Sequence, residues 1–528
     1  MDFLIHHLLR SSAERSPEKE ALVHGEERIS YREFARRTDG LAGGLQRAGL
    51  RRGDRVGIYL EPSVAQAVSI FAVSEAGGVF VPMNAALRAA QVAHMASDCE
   101  IKALITAPAK LSALAEILPQ VPALEFAVLS GDGNAPSGSL PSYRLEELCE
   151  SPDSRVRRDQ AIGRDLAAIL YTSGSTGKPK GVMLSHANIL AGATIVSSYL
   201  EITSAERILA VLPFSFDAGL NQLITAIQQG ATIVLINFAF ASEIVRALVK
   251  EHITGLAGVP TLWSLLAQPN STLHKQPLPD LRYIANTGGA LPQPVLNVLR
   301  RALPAAKIFL MYGLTEAFRS TYLPPEQLER RPTSIGKAIP DTEILVVNEH
   351  GQLCEPGEVG ELVHRGPTIS MGYWNRPEET ARVLRPNPLL PAEMGASERV
   401  CYSGDLVKTD EEGFLYFVGR RDGMIKSSGF RVSSTEVEEV LLETGNLREA
   451  AVIGVPDDVL GQAIKCFVVP QDGETQDGKK FDPESLLRAC AEKLPRYMLP
   501  KFIEILSELP KTSSGKVDYP ALRRREGL

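Results

Sequence analysis

A chain of 528 residues is too long for one ordinary hydrophobic core, so at least two domains are expected. Its 44% hydrophobic and 23% charged residues suit a globular protein, and a net charge of -7 excludes general attraction to nucleic acid or an anionic membrane. Six scattered cysteines (Cys99, Cys149, Cys354, Cys401, Cys466, Cys490) form no Cys-x-x-Cys pair, which speaks against a zinc site or disulfide framework and for a reducing, cytoplasmic setting.

The opening MDFLIHHLLRSSAERSPEKE lacks a basic segment followed by a long apolar core, so no signal peptide is expected. His6 and His7 stand side by side on a short helix, where they are expected to point apart at the surface. The most apolar stretch, VAQAVSIFAVSEAGGVFVPM, carries Gln66, Glu75 and a Gly-Gly break and reads as a buried helix followed by a strand, with no membrane span. RVGIYL, a helix from about Pro62, GVFVPM, a helix from Leu87 and KALIT give a β-α-β-α-β order. The pattern returns in RILAVLP, ATIVLI, GLAGVP, LRYIANT and KIFLMYG, predicting an α/β fold with largely parallel sheets flanked by helices.

SGDGNAPSGSLPSYR with its charged continuation to about Gln160, and LRPNPLLPAEMGASER, are rich in Pro, Gly, Ser and charge and are expected to be surface loops. From about Val359 the chain turns β-rich: GELVHRG, GFLYFVGR and MIKSSGFRV read as short strands of a smaller unit. SSTEVEEVLLETG reads as a helix with Ser433 and Glu436 at capping-box spacing and Gly445 at its end. AVIGVP, IKCFVVP, a helix over Leu486–Leu494 and KFIEIL complete a compact α+β unit ending in LPKTSSGKVDYPAL. The division expected is a large domain over 1–419, a hinge at 420–423 within GRRDG, and a small mobile α+β domain over 424–528.

Residues 171–181, YTSGSTGKPKG, pose the chemical question. A Walker A loop needs Gly, four residues, then Gly-Lys-Ser/Thr; aligned on Gly177-Lys178, Thr172 replaces the first Gly and Pro179 replaces the hydroxyl residue. Pro179 also denies the segment a continuous helix. The case for phosphate survives: Gly174 and Gly177 let backbone N–H groups turn inward, Thr172, Ser173, Ser175 and Thr176 add hydroxyls, and Lys178 and Lys180 add charge. The loop lies between strand-like AAILY and helix-like SHANILAGATIV, where α/β folds carry ligand loops.

Read whole, YTSGSTGKPKGVMLSH resembles the signature loop of the adenylate-forming superfamily, which includes acyl-CoA synthetases, the amino-acid adenylation domains of nonribosomal peptide synthesis, and luciferases. MYGLTEA, YSGDLVKTDEEGFLYFVGRRDGMIKSSGFRV and LPKTSSGKVDY match that family's later motifs in order, so the resemblance covers nearly the whole chain. FSFDAGLNQL, MYGLTEAFRSTYLPPE and RRDGMIKSSGFRVSSTEVEEV are similar to a bacterial subgroup, the exosortase-associated AMP-forming acyl-CoA ligases from polysaccharide-export gene neighbourhoods.

The resemblance implies an enzyme that joins a small carboxylic acid or amino acid to AMP, releasing pyrophosphate from ATP. The acyl group then passes to a thiol, that of CoA or of the phosphopantetheine arm of an acyl carrier protein. By the same resemblance the loop from Thr172 to Lys178, with Lys180, holds the β- and γ-phosphates. Thr315 and Glu316 meet the α-phosphate and Mg²⁺, Glu316 being the metal ligand, as suits a hydroxyl beside a hard oxygen. Gly288, Gly289 and Ala290 of NTGGAL lie along the adenine, with Tyr312 and Gly313 also at the nucleotide. Asp405 accepts the ribose hydroxyls, two of which one carboxylate can take. Arg420 is expected near the ribose and phosphates, Asp422 at the hinge, Lys426 and Gly429 along the thiol's approach, and Lys516 as the adenylation lysine.

For the acyl pocket, Phe216 stands where many acyl-CoA synthetases carry a His, and Asp217 where adenylation domains place an aspartate for the substrate ammonium. Arg319 occupies a pocket-lining position, with Ala218, Asn221, Ala285, Thr287, Met311 and Ser320 as further lining residues. Asp217 and Arg319 each need a partner if buried. Either they pair with each other or with neighbours, or Asp217 binds an ammonium while Arg319 meets a second anionic or polar group. A luciferase-like oxidation is a lesser reading. From a different class, a degenerate nucleotide-binding regulator is opposed by the intact Glu316, Asp405, Lys426 and Lys516.

Overall fold

The computed structural model describes every residue except Met1, 134–139, 151–158, 160, 173–178, 396–397, 422–423, 428–429, 458–459, 472–480, 495 and 513–514. Among the described residues the strands form three sheets. The largest has a parallel half in the spatial order Glu20–His24, Thr232–Leu235, Arg207–Ala210, Gly255–Gly258, Tyr283–Asn286 and Lys307–Tyr312. Short apolar runs such as TIVL, buried at every position, suit strands covered on both faces. Antiparallel strands Thr321–Leu323 and Ser334–Ala338 then carry the hydrogen bonding on to Leu415–Arg420, Arg399–Thr409, Gly360–Arg365 and Glu343–Val347. The β-rich segment is therefore an extension of the parallel sheet. Only the MIKSSGFRV part of it, as Ile425–Ser427 and Phe430–Val432, belongs to the C-terminal sheet.

The second sheet runs Ser142–Arg144, Phe126–Leu129, Ile101–Thr106, Arg55–Tyr59, Val79–Pro82, Leu166–Thr172 and Lys180–Ser185, parallel except for the last pair. Helix Val64–Glu75 is capped by Ser63, whose side chain accepts from the Gln66 N–H, and is apolar nearly all round; it is buried accordingly. The third sheet, of Leu447–Asp457, Gly461–Pro470, Ile425–Ser427, Phe430–Val432 and Phe502–Ile505, forms the small α+β unit. Its helix Ser434–Glu443 starts at Ser433, which accepts from the Glu436 N–H, and Gly445 follows at φ +74.

Several expectations are corrected. The sequence after the phosphate loop is first a strand, Lys180–Ser185, with helix His186–Tyr199 only beyond it. The two stretches read as loops contain short elements: strand Ser142–Arg144 and helix Leu145–Glu150 in one, strand Leu384–Pro386 and helical turn Ala392–Gly395 in the other. Leu145 and Cys149 are buried there, beneath the helix Tyr31–Arg47 that carries Gly40. His6 and His7 do not point apart. Both Nε2 atoms reach Asp159, at 3.0 and 2.8 Å, and His6 is buried with Nδ1 3.0 Å from Ser74 Oγ. All six cysteines are free, and no described helix is long and apolar enough to cross a membrane.

Candidate active site

Three constellations converge at the C-terminal ends of the central parallel strands. The first surrounds Asp405. Strand pairing sets Asp405 opposite Arg420, whose Nη1 lies 3.1 Å from Asp405 Oδ1. From the neighbouring end of Lys307–Tyr312, the Tyr312 hydroxyl donates to Asp405 Oδ2 at 2.5 Å. Burial, then the Asp405 carboxylate, push the Tyr312 hydroxyl well above the usual tyrosine range, so it stays a donor. Gly404 takes a left-handed φ of +73, its N–H donates to Glu361 Oε1 at 3.0 Å, and a register shift follows one residue beyond Asp405. The buried His364 ring stacks 6.3 Å from that of Tyr312.

The second constellation surrounds Glu316. The Tyr373 hydroxyl donates to Glu316 Oε1 at 2.7 Å, and the Ser370 N–H donates to the Glu316 carbonyl at 2.8 Å. Oε2 of Glu316 has no protein partner among the described residues. With the buried Thr315 hydroxyl adjacent, this donor set of hard oxygens fits a magnesium ion. Residues 371–374 are strapped to the phosphate-loop hairpin: Met183 N–H to Gly372 O at 2.9 Å, Trp374 N–H to Gly181 O at 2.8 Å. The loop itself joins Thr172 to Lys180, which are register partners, and Ser173, Gly174, Ser175, Thr176, Gly177 and Lys178 lie outside the described residues. Lys180 pairs with Glu379 and lies 5.6 Å over the Tyr373 ring. Tyr373 and Glu379, both in the stretch MGYWNRPEET, escaped the sequence reading.

The third constellation is brought by the C-terminal unit. Lys511 bridges Val517 across a tight turn, Thr512 N–H donates to Lys516 O at 2.7 Å, and Gly515 takes φ +81. The turn sets Lys516 Nζ 5.4 Å over the ring of Phe216, at the start of helix Asp217–Gln229. Gly288 sits beside it at φ +80, where an added Cβ would lie 3.1 Å from Lys516 Cε and 3.5 Å from Phe216 Cζ. Asn286 Nδ2 donates to Gly289 O at 2.8 Å and fixes the NTGGAL turn; Gly289 and Ala290 lie exposed along it. Lys426 lies on strand Ile425–Ser427, opposite Arg431, while Asp422 and Gly429 lie outside the described residues.

Between these groups lies the expected acyl pocket. Parallel register puts Ala285 beside Phe309, so period-two alternation places Ala285, Thr287, Phe309 and Met311 on one sheet face. Helix His186–Tyr199 covers that face, with the Tyr199 hydroxyl 3.2 Å from Met311 Sδ. Asp217 and Asn221 lie one turn apart on a single face of the next helix. Gly219 allows that helix to begin close against the preceding loop, since a Cβ there would meet Pro213 O at 2.2 Å. Ala218, Asn221, Ala285, Thr287, Met311, Arg319 and Ser320 are all buried, as is Asp217, and Tyr312 and Gly313 stand at the nucleotide end. Asp217 and Arg319 form no ion pair with each other and none with any described neighbour, so the pairing alternative does not hold.

Residues 9–374 match the family model described as AMP-binding enzyme, and residues 436–516 that of the AMP-binding enzyme C-terminal domain. The feruloyl-CoA synthase of an Amycolatopsis species is 34% identical over 523 residues, spanning 98% of this chain and 97% of the relative. Tyrocidine synthase 1 of Brevibacillus parabrevis is 30% identical over 524 residues, spanning 98% of this chain but 44% of that longer protein. The solved structure of o-succinylbenzoate coenzyme A synthetase (MenE) from Bacillus subtilis, in complex with ATP and magnesium ion, superposes with a TM-score of 0.81. It is 26% identical and covers 97% of this chain and 98% of that one.

Proposed function

Because this chain belongs to the AMP-binding enzyme family, we propose that the three constellations divide between them the two half-reactions of a carboxylic acid–thiol ligase. The enzyme is an ATP-dependent, AMP-forming ligase of the acyl-CoA synthetase type. In the first half-reaction an oxygen of the acid's carboxylate attacks the α-phosphorus of ATP. The bond to the bridging oxygen breaks and its electron pair leaves with pyrophosphate. Two anions meet in that step, so fixed positive charge and donors lower its barrier.

The observation that carries the reading is the seat of Lys516 between Phe216 and Gly288. There its ammonium faces the position where carboxylate and α-phosphate approach. The Thr315 hydroxyl donates to an α-phosphate oxygen. Glu316, held on one oxygen by Tyr373, offers the other to Mg²⁺, which when bound neutralises phosphate charge. Asp405, oriented by Tyr312 and Arg420, receives the ribose hydroxyls. The backbone of Gly288, Gly289 and Ala290 borders the adenine, and residues 172–178 restrain the pyrophosphate.

In the second half-reaction the sulfur of a thiolate attacks the acyl carbon, the bond to the phosphate oxygen breaks, and AMP leaves. The thiol proton passes to solvent. Lys516 is not needed there, and the small domain, 424–528, turns about 420–423 at Asp422 to bring Lys426 and Gly429 to the thiol's path. CoA is the thiol of the lead reading.

A second reading, an amino acid loaded onto a carrier protein's phosphopantetheine arm, is favoured by one observation: Asp217 is buried without a partner among the described residues. An ammonium on the acid would supply it.

The test is pyrophosphate exchange across fatty, aryl and amino acids, followed by CoA or carrier protein as acceptor. ATP-dependent thioester formation is expected with at least one acid. A complete lack of exchange would sink the ligase reading and restore the non-catalytic regulator.

A further inference from the structure

Resting on the acyl-pocket reading above, we infer that the acid this enzyme activates carries a second anionic group, a carboxylate remote from the reacting one, which Arg319 receives. Arg319 is 4% exposed, and its guanidinium makes no hydrogen bond or ion pair with any described residue. A guanidinium whose Nε is buried and unanswered is expensive, and ordinary folding places an acidic residue beside it. This chain does so elsewhere: buried Arg331, 6% exposed at the side chain, pairs with both Asp410 and Glu412. At Arg319 no such partner stands among the described residues.

The chain enforces that position. Phe318 adopts φ +53, an unfavourable conformation for an aromatic residue, and the Arg319 N–H donates to Ala317 O two residues back at 2.6 Å. Such a positive-φ three-residue turn persists only where packing over-determines it. Here the Phe318 ring is wedged against Gly192 of helix His186–Tyr199, where a Cβ would meet it at 2.6 Å. The wedge fixes where residue 319 leaves the backbone. Thr368 holds the Arg319 carbonyl from the other side, donating at 3.3 Å.

Other donors in the same region are also unanswered. Thr225 Oγ1 donates to Asn221 Oδ1 at 3.4 Å, which orients the amide and leaves the buried Nδ2, beside Gly192, without a partner. The Ser320 hydroxyl is buried and unpartnered as well. Arginine, amide and hydroxyl donors together suit a carboxylate better than an alkyl chain, which would leave all three desolvated. Asp217, the first residue of its helix and next to Phe216 in the chain, forms no ion pair with Arg319. The pocket-lining residues thus offer both an acidic and a basic group, which suits an amino-dicarboxylic acid.

The experiment is ATP–pyrophosphate exchange on matched pairs, hexanoate with adipate and norleucine with 2-aminoadipate, extended to shorter and longer homologues of each. The diacid of some pair is expected to exceed its monoacid partner in kcat/KM by about a hundredfold, because a site built for a polar group rejects the analogue lacking it. Arg319→Gln should abolish that preference through KM, and Arg319→Lys should retain part of it. A thermal melt matching that of the wild type shows that Arg319→Gln folds. Exchange with monoacids alone, insensitive to Arg319→Gln, would overturn the second-anion assignment while leaving the ligase reading intact. No exchange with any acid would overturn both.

Discussion

The ammonium of Lys516 lies 5.4 Å above the ring of Phe216, so the last loop of the small domain reaches the first turn of the helix that opens the acyl pocket. Under the proposed role of Lys516, that geometry suits the first half-reaction. Lys516→Ala is expected to lower adenylation by about two to three orders of magnitude. Transfer of the acyl group from a supplied acyl-adenylate should persist. Equal loss in both half-reactions, measured separately, would contradict the role.

Gly288 tests the same seat from the opposite wall. Its φ of +80 strains any side chain there, and an added Cβ would lie 3.1 Å from Lys516 Cε, so the lysine would have to shift. Gly288→Ala should slow pyrophosphate exchange more than thioester formation from supplied acyl-adenylate. A variant impaired equally in both would point to general misfolding, which a thermal melt would reveal.

Tyr373 positions one oxygen of Glu316, so under the proposed metal role its hydroxyl would act through the carboxylate. Tyr373→Phe is expected to raise the Mg²⁺ concentration needed for half-maximal exchange by about ten- to a hundredfold. Saturating Mg²⁺ should restore most of the rate. Unchanged magnesium dependence would remove Glu316 from the metal site.

Asp217→Asn keeps the shape of the pocket and removes its negative charge. If Asp217 receives an ammonium, kcat/KM for amino acids should fall by about ten- to a hundredfold while plain acids gain or hold. Measured on norleucine and hexanoate, identical responses of the two classes would rule out the ammonium role.

His364 offers a pH test of the nucleotide end. Burial lowers its pKa from 6.5 to about 3, and neither ring nitrogen has a hydrogen-bond partner. The folded form therefore binds its proton only at lower pH than the unfolded form, so the contribution is fully present above pH 6.5 and is lost as pH falls toward 3. Relative to His364→Phe, the wild type should lose about 1.4 kcal/mol per pH unit in that window. Urea unfolding of both proteins at several pH values checks it; a constant difference would mean that His364 titrates normally in the fold.

Much of this was legible in the residues. Ser433 and Gly445 bound a helix because capping chemistry is local, and the alternation of apolar runs with helical stretches foretold the parallel strands. The motifs around Thr315, Glu316, Asp405 and Lys516 named the chemistry because phosphate, magnesium and ribose each demand particular donor types. The reading failed where an outcome depended on distant partners. His6 and His7 looked divergent until the segment carrying Asp159 folded over them. Glu379, which pairs with Lys180, drew no notice because the two lie far apart in the chain. Tyr373 drew no notice because nothing near it in the chain needs a tyrosine.

The sequence by itself thus determined the family, the reaction class and the kinds of group that carry it, since these rest on residue type and short spacing. Only the tertiary structure decided which charges are answered. Asp217 and Arg319 lie about a hundred residues apart in the chain, and whether two such buried ions meet each other or wait for a substrate depends on how helices and turns from separate segments pack. Here they form no ion pair with each other or with any described residue.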